Sequence, residues 1–318
     1  MSEPRISVVV PNYNHEQYLA RCVNALLNQS VPPHEIIIVD DASTDRSLDV
    51  LREYASRSSI IRVYSNEVNL GVNATINRGM ALATGDYLLF AAADDEVRPG
   101  IFSSAMRMLR EYPQAGLVSG VCEWRDEAKG LSWYVGGKMP REECYLTPRE
   151  MVALGRNDRL AICNQNAVFR KSALVEAGGW RADLRWFSDW FGGYVVGFRY
   201  GMCHVPEVLS TYYLYPTSYY NSVESEGMRR EAMLRLLEHL ESPACADVAP
   251  SIAQSGILGS FGWPMLRIVY SEPSHRLFRS AAFLRGTLRR SAERVGRRFF
   301  PNWLARLCLK VFYKSSGP

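Results

Sequence analysis

Two alternating rhythms of apolar and polar positions run through the first hundred residues. Residues 6–10 (ISVVV) form an unbroken β-branched stretch, the signature of a strand covered on both faces. Apolar residues then recur at helical spacing, with Tyr18, Leu19, Cys22, Val23, Leu26 and Leu27 on one stripe. Residues 36–39 (IIIV) predict a second strand, and Ser43 or Thr44 is placed to cap a helix with Leu48, Leu51 and Tyr54 inward. A third strand is expected over 60–64, a helix over 72–83 and a fourth strand over 86–90. This β-α-β-α-β-α-β order predicts an α/β fold, a mostly parallel sheet flanked by helices.

The pattern loosens downstream. Residues 115–222 are richer in aromatics and glycine, and mix short strands with helices over 147–155 and 171–177. After Asn221 the periodicity is helical, with Met228, Ala232, Leu236 and Leu240 on one face, and a break with Pro243 and Pro250 spans 242–251. The rest reads as a helical C-terminal extension. Composition adds little beyond exclusion: 47% hydrophobic and 22% charged residues rule out a disordered or low-complexity chain. No apolar run approaches the roughly 18–20 residues of a membrane-spanning helix, and the N-terminus lacks the charged-then-apolar order of a signal peptide. The seven cysteines are scattered without a C-x-x-C pair, which predicts reduced thiols and a cytoplasmic setting.

Charge changes the picture more. Eleven of the 37 basic residues but one of the 33 acidic ones lie from Pro273 onward, so this stretch carries +10 and the remainder −6. It also holds an apolar stripe of Leu277, Ala281, Leu284 and Leu288, followed by Phe299, Phe300, Trp303, Leu304, Leu307, Val311 and Phe312. Basic helices with bulky apolar residues fit an anionic membrane surface through residues 273–318 and a peripheral position on the cytoplasmic face. Docking onto the acidic body is the competing reading. Nucleic acid is not expected as a partner, because no recognition motif accompanies the charge.

In sheets of this type ligands sit beyond the carboxyl ends of the strands. The first strand runs into Pro11, Asn12, Tyr13 and Asn14. The second runs into Asp40, Asp41, Ala42, Ser43, Thr44 and Asp45, and the fourth into Ala93, Asp94, Asp95 and Glu96. Carboxylates there can read a base or ribose or hold a divalent cation, although capping explains Ser43 or Thr44. The block from Asn69 to Asn73, with Asn77 and Gly79, opens a helix, either as a turn with its cap or as a phosphate site. The histidines (15, 34, 204, 239, 275) show no metal-ligand spacing. The tryptophans 124, 133, 180, 186 and 190 suit sugar stacking as well as core packing.

Taken in order, ISVVVPNYNHEQYLARCVNALLNQS, EIIIVDDASTDRS and NLGVNATINRGMALATGDYLLFAAADD resemble the family-2 glycosyltransferases of the GT-A fold. The likeness is strong over 4–125 and weaker over 160–222. It implies a Rossmann-like GT-A domain over residues 1–222, with a nucleotide-sugar half (1–125) and an acceptor half (126–222), and a helical, basic extension over 223–318. It further implies inverting transfer from a nucleotide-diphosphate sugar to a hydroxyl of a glycan or lipid-linked acceptor. Pro11, Asn12, Tyr13, Asp40 and Asp41 would line the nucleoside pocket, with Asp40 the base-reading carboxylate, and Asn73, Asn77, Asp94 and Asp95 would complete the donor site.

The family's Asp-x-Asp metal motif falls on Ala92, Ala93 and Asp94, so the first carboxylate is missing and Asp94 is the implied ligand of Mg²⁺ or Mn²⁺. The acceptor base implied by the segment after Gly178, Gly179 and Trp180 is Asp189, preceded by Ser188 rather than Glu; a helix-capping role for Asp189 stands beside it, and Asp183 is the next carboxylate. Other departures are Ile76, where the family often has Arg, and the run Tyr212, Tyr213, Leu214, Tyr215 and Pro216, where it often has Tyr-Arg-x-His-Pro. Arg170, Arg181 and Arg185 are the candidate replacements for the lost positive groups. These departures motivate the alternative of a non-catalytic sugar-nucleotide-binding or scaffold protein with a degenerate site.

Overall fold

The computed structural model describes residues 3–215 and 226–299, with side chains to residue 291. Strands β1 (Ile6–Asn12), β2 (Glu35–Asp40), β3 (Ile61–Ser65) and β4 (Tyr87–Phe90) are connected by helices α1 (Glu16–Leu27), α2 (Ser47–Arg57) and α3 (Val72–Leu82). Every pairing among these strands is parallel, with β1 between β2 and β4. Their β-branched runs alternate between two cores. Val8, Val10, Ile36 and Ile38 point with Leu19 and Leu26 into one, whereas Val9, Ile37 and Val39 point into the other. This alternation is why a strand buried on both faces reads as a continuous apolar run.

Beyond β4 come β5 (Glu96–Val97), α4 (Ile101–Glu111), β6 (Leu117–Asp126), β7 (Leu131–Val135), β8 (Cys144–Leu146), α5 (Pro148–Arg156), β9 (Val168–Arg170), α6 (Lys171–Glu176), α7 (Ser188–Tyr200) and β10 (Met202–Tyr213). One sheet contains all the described strands, in the order β3-β2-β1-β4-β9-β6-β10-β5, with β7 beside β6 and β8 beside β10. The parallel rule fails in this second half. β9 runs antiparallel to both β4 and β6, and β5 antiparallel to β10, so the sheet is parallel on the β3 side and mixed on the other. Three residues of β9 are too few to display a period.

The extension contributes α8 (Glu226–Glu241), α9 (Ala249–Ser255), α10 (Trp263–Ser271) and α11 (Ala281–Phe299). Ala232, Leu236 and Leu240 of α8 enter the same core as Val9, Phe169 and Phe191. The expected boundary near residue 222 lies outside the described residues. Pro250, expected in the break, sits in the first turn of α9, where its missing N–H costs nothing.

The apolar stripe expected along the tail is turned outward: Leu277, Leu284 and Leu288 are 43, 37 and 56% exposed. Phe278, Phe283 and Thr287 form the face that docks instead. Close approach is possible there because Gly259 has no side chain; a Cβ at that position would lie 2.8 Å from the Phe283 carbonyl oxygen. The aromatic residues from Phe299 onward lie beyond the described side chains.

Candidate active site

The carboxyl ends of β1 and β2 lie side by side, with Asn12 opposite Asp40. Asn12 Nδ2 donates to Asp40 Oδ1 at 2.7 Å and to Ser43 Oγ at 3.2 Å. The Ser43 hydroxyl donates to Asp40 Oδ1 at 2.5 Å, and its amide to Oδ2 at 3.0 Å. Asp40 is buried, and this network fills both its oxygens. Asn12 Oδ1 is a buried acceptor without a partner. A buried polar atom left open in this way is costly. Tyr13, next in the chain, is 43% exposed and offers a ring at the same strand end, beside the half-buried Pro11.

Ser43 or Thr44 was expected to cap α2, but Ser43 serves the Asp40 network and Thr44 bonds Asn14. The residue before α2 is Arg46, which makes no side-chain cap. Asp45 takes that task and ties two helices together, accepting from the amides of Ser47 at 2.9 Å and Glu16 at 3.0 Å. These bonds and the neighbouring His15 hold its carboxyl below the usual range against the opposing effect of burial, which is the largest single influence. Left-handed backbone at Asn14 (φ 54°) and Ala42 (φ 58°) lets both loops turn sharply beside the strand ends.

Asp41 points to a different loop. Its carboxylate accepts from Asn66 Nδ2 at 2.6 Å and from the amides of Leu70 and Gly71, each at 2.9 Å. It therefore fixes the turn that opens α3. From α3, Asn73 Nδ2 donates to the Arg185 carbonyl at 2.9 Å. Asn77 bonds Trp180 at both ends, donating to its carbonyl at 2.5 Å and accepting from its amide at 3.1 Å. Both side-chain amides are committed to the 180–185 backbone. Arg185 in that segment has φ 51°, a strained value for a side-chain-bearing residue, and the Asn73 bond holds it.

The segment leads into α7 and places Asp189 in its first turn. Trp190 N donates to Asp189 Oδ1 at 2.6 Å, so the capping geometry is present. Asp189 keeps partial solvent access, but burial of its carboxyl outweighs the hydrogen bonds from Trp190 and Asn164 and raises its pKa to about 6. A carboxyl poised near neutrality suits proton abstraction. Asp183, the runner-up, is exposed and bound to His239 Nε2 at 2.6 Å.

Asp94 is half-buried in the turn between β4 and β5. Beside it, Asp95 is buried, and that burial together with the charge of Asp94 raises its pKa well above the carboxylate range; the Tyr213 amide opposes the rise. Among the described residues no group of three or more His, Cys, Asp or Glu side chains gathers in metal-binding geometry. One carboxylate with substrate phosphate oxygens still meets the needs of Mg²⁺ or Mn²⁺, which retain waters and bind through one or two carboxylates.

Sequence reasoning missed Arg21. It reaches this turn from α1 and donates to the Asp94 carbonyl oxygen at 2.5 Å and to the Tyr215 hydroxyl at 3.0 Å. No local signal marked it, since Arg21 lies off the apolar stripe of α1. Of the cationic candidates, Arg170 belongs to the far end of the sheet, because it pairs with Tyr87 at the start of β4. Ile76 is buried in the core. Trp180 packs on Phe90, with ring centroids 4.4 Å apart, and is a core residue.

Residues 7–177 match the profile of glycosyl transferase family 2. The chain belongs to that family, and its fold is of the GT-A type. Among curated relatives it is 27% identical over 225 residues to the uncharacterized glycosyltransferase YibD of Escherichia coli, covering 68% of this chain and 63% of YibD. It is 41% identical over 96 residues to the poly(ribitol-phosphate) beta-glucosyltransferase of Bacillus spizizenii, covering 29% of this chain and 15% of that protein. Thus the chain spans less than two thirds of the length of these relatives. S. aureus TarS 1-349, solved with UDP-GlcNAc, superposes with a TM-score of 0.62 at 16% identity, covering 90% of this chain and 79% of TarS 1-349. The mannosyltransferase PcManGT from Pyrobaculum calidifontis, in complex with GDP-Man and Mn²⁺, gives 0.54 at 18%, covering 89% of this chain and 81% of PcManGT.

Proposed function

We propose that this protein is an inverting glycosyltransferase that moves a sugar from a nucleotide-diphosphate donor to a hydroxyl of a glycan or lipid-linked acceptor. The observation that carries the reading is Asp189, a carboxyl raised to about 6 in the first turn of α7, just after the Arg185 backbone that Asn73 of α3 holds. In this reading Tyr13 and Pro11 flank the nucleobase. Asn12 Oδ1 receives a base N–H, with Asp40 and Ser43 holding the amide in place, and Asp41 shapes the adjoining loop. Asn73 and Asn77 act through the 180–185 segment.

Asp189 takes the proton of the acceptor hydroxyl. The oxygen forms a bond to the anomeric carbon while the bond to the diphosphate oxygen breaks on the opposite face, which inverts configuration. Asp94 would hold the divalent cation, with Asp95 supporting the turn. A cation there offsets the negative charge that develops on the leaving nucleoside diphosphate. The glycan class of acceptor is supported by the beta-glucosyltransferase relative acting on poly(ribitol-phosphate).

The proposal includes a peripheral position on the cytoplasmic face of a membrane through residues 273–318, supported by the outward Leu277, Leu284 and Leu288 beside Arg276, Arg285 and Arg289. No described helix is long and apolar enough to cross a membrane.

Calorimetric titration with UDP-, GDP- and dTDP-sugars in the presence of Mn²⁺ tests the donor site. One nucleotide class is expected to bind, and Asn12→Ala to weaken it by about tenfold, the value of one buried hydrogen bond. Binding of none of the three classes would sink the reading.

A further inference from the structure

We propose that Arg21 is the positioning residue of the diphosphate turn, locking α1, the β4–β5 turn and the end of β10 into one unit that aims Asp94. The inference rests on the reading of Asp94 as the cation–diphosphate residue. Three kinds of contact meet at this one side chain. Its Nη2 donates to the Asp94 carbonyl oxygen at 2.5 Å and to the Tyr215 hydroxyl at 3.0 Å. Its guanidinium carbon lies 3.7 Å from the centroid of the Tyr213 ring, a cation–π distance, and 5.7 Å from that of Tyr18. Tyr18 in turn stacks on Tyr215 at 4.6 Å.

The rest of the turn is gripped by the same two elements. The Cys22 thiol, next to Arg21 on α1, donates to the Ala92 carbonyl oxygen at 3.4 Å. Tyr213 on β10 donates through its amide to Asp95 Oδ1 at 3.0 Å and through its hydroxyl to Glu96 Oε2 at 2.9 Å. Ala92, Asp94, Asp95 and Glu96 are thus each held from α1 or β10, and Arg21 is the residue that joins those two holders. A turn with a single carboxylate aimed outward has little tolerance for drift, because the cation then depends on one protein oxygen and the substrate phosphates.

One terminal nitrogen of the guanidinium serves both acceptors while the flat face of the group rests on the Tyr213 ring. Methionine at this position fills similar space and packs on Tyr213 but makes neither hydrogen bond. Arg21 bonds the backbone carbonyl of Asp94 rather than its carboxylate, so its effect is expected in diphosphate binding and not in nucleoside binding.

The test compares two affinities in Arg21→Met and in Tyr215→Phe, which removes one hydroxyl and spares the packing. UDP and GDP with Mn²⁺ are titrated beside uridine and guanosine. Arg21→Met is expected to weaken the Mn²⁺-dependent diphosphate binding about tenfold, in the range typical of groups that orient a metal ligand, and to leave the nucleoside affinity unchanged. Tyr215→Phe is expected to shift the same quantity less, in the same direction. The proposal is overturned if diphosphate and nucleoside affinities fall together, as general unfolding of the edge would cause, or if neither falls. Wild-type protein that binds no nucleotide removes the parent reading of the site instead, and shows this before any variant is compared.

Discussion

At the scale of single residues, one carboxyl is set apart by its surroundings. Asp189 titrates near 6 because burial disfavours its charged form more than Trp190 and Asn164 favour it. A base must be unprotonated to accept a proton, so turnover is expected to rise with pH through about 6 and to level above it; a rate profile over pH 5–8 checks this. The same shift bears on stability with the opposite sense. The folded state holds the Asp189 proton more tightly than the unfolded chain, so this group's stabilisation is full below the ordinary carboxylate range and is lost as pH rises to about 6. Asp189→Asn is therefore expected to cost about 10²-fold or more in turnover. It is also expected to raise unfolding stability at pH 7 by roughly 1–3 kcal/mol. A loss of both activity and stability in thermal and kinetic assays would contradict this account.

Several residue roles were legible before the fold, and others were not. The two successive acids at 40 and 41 were read as a pair, yet they serve different partners: Asp40 joins Asn12 and Ser43, whereas Asp41 receives the amides of Leu70 and Gly71. Strand alternation sends consecutive side chains apart, and the loop that Asp41 meets is distant in sequence. Arg21 was hidden for a similar reason, since its partners Asp94 and Tyr215 are 73 and 194 positions away.

At the scale of elements, α3 reaches α7 through the segment that joins them. α3 begins where Asp41 holds its entry, and its first turns carry Asn73 and Asn77, which hold the segment leading to α7. Asn73→Ala is expected to free the strained Arg185 backbone. It should cost about 1 kcal/mol of stability from the lost bond, and lower turnover about tenfold through displacement of Asp189. Donor affinity should be nearly unchanged, because the proposed nucleoside pocket is placed on β1 and β2. Kinetics with separate donor binding isolates the effect; an equal loss in both would place Asn73 in the donor site itself.

The strands and helices of the first half were readable because each satisfies one strong period. The second half was harder. β9 has three residues and β5 two, and their antiparallel pairing is fixed by tertiary contacts rather than by local pattern. Turn chemistry also misled at Ser43, whose hydroxyl found a buried carboxylate rather than a helix end.

At the scale of the whole molecule, the net charge of +4 conceals a division between an acidic body and a basic end. The described part of the extension has two different faces. Phe278 and Phe283 are buried, Phe283 against Gly259 of the preceding segment, while Leu284 and Leu288 remain outward. Replacing Leu284 and Leu288 together by serine is expected to leave the docked face intact, so thermal stability should hold. Co-sedimentation with vesicles containing anionic lipid should fall several-fold, and added salt should weaken the wild-type interaction as screening requires. Equal sedimentation of the variant and the wild type would remove the membrane from the account.

The central claim is that one carboxyl edge carries both a nucleotide-sugar pocket and a working base. Its most direct test is Mn²⁺-dependent release of nucleoside diphosphate from the nucleotide sugar that binds, measured for wild type, Asp94→Ala and Asp189→Asn. The account predicts release by the wild type and loss of about 10²-fold or more in both variants. Donor binding without any release by the wild type, or full release by Asp189→Asn, would contradict it and favour a protein that binds sugar nucleotides without transferring the sugar.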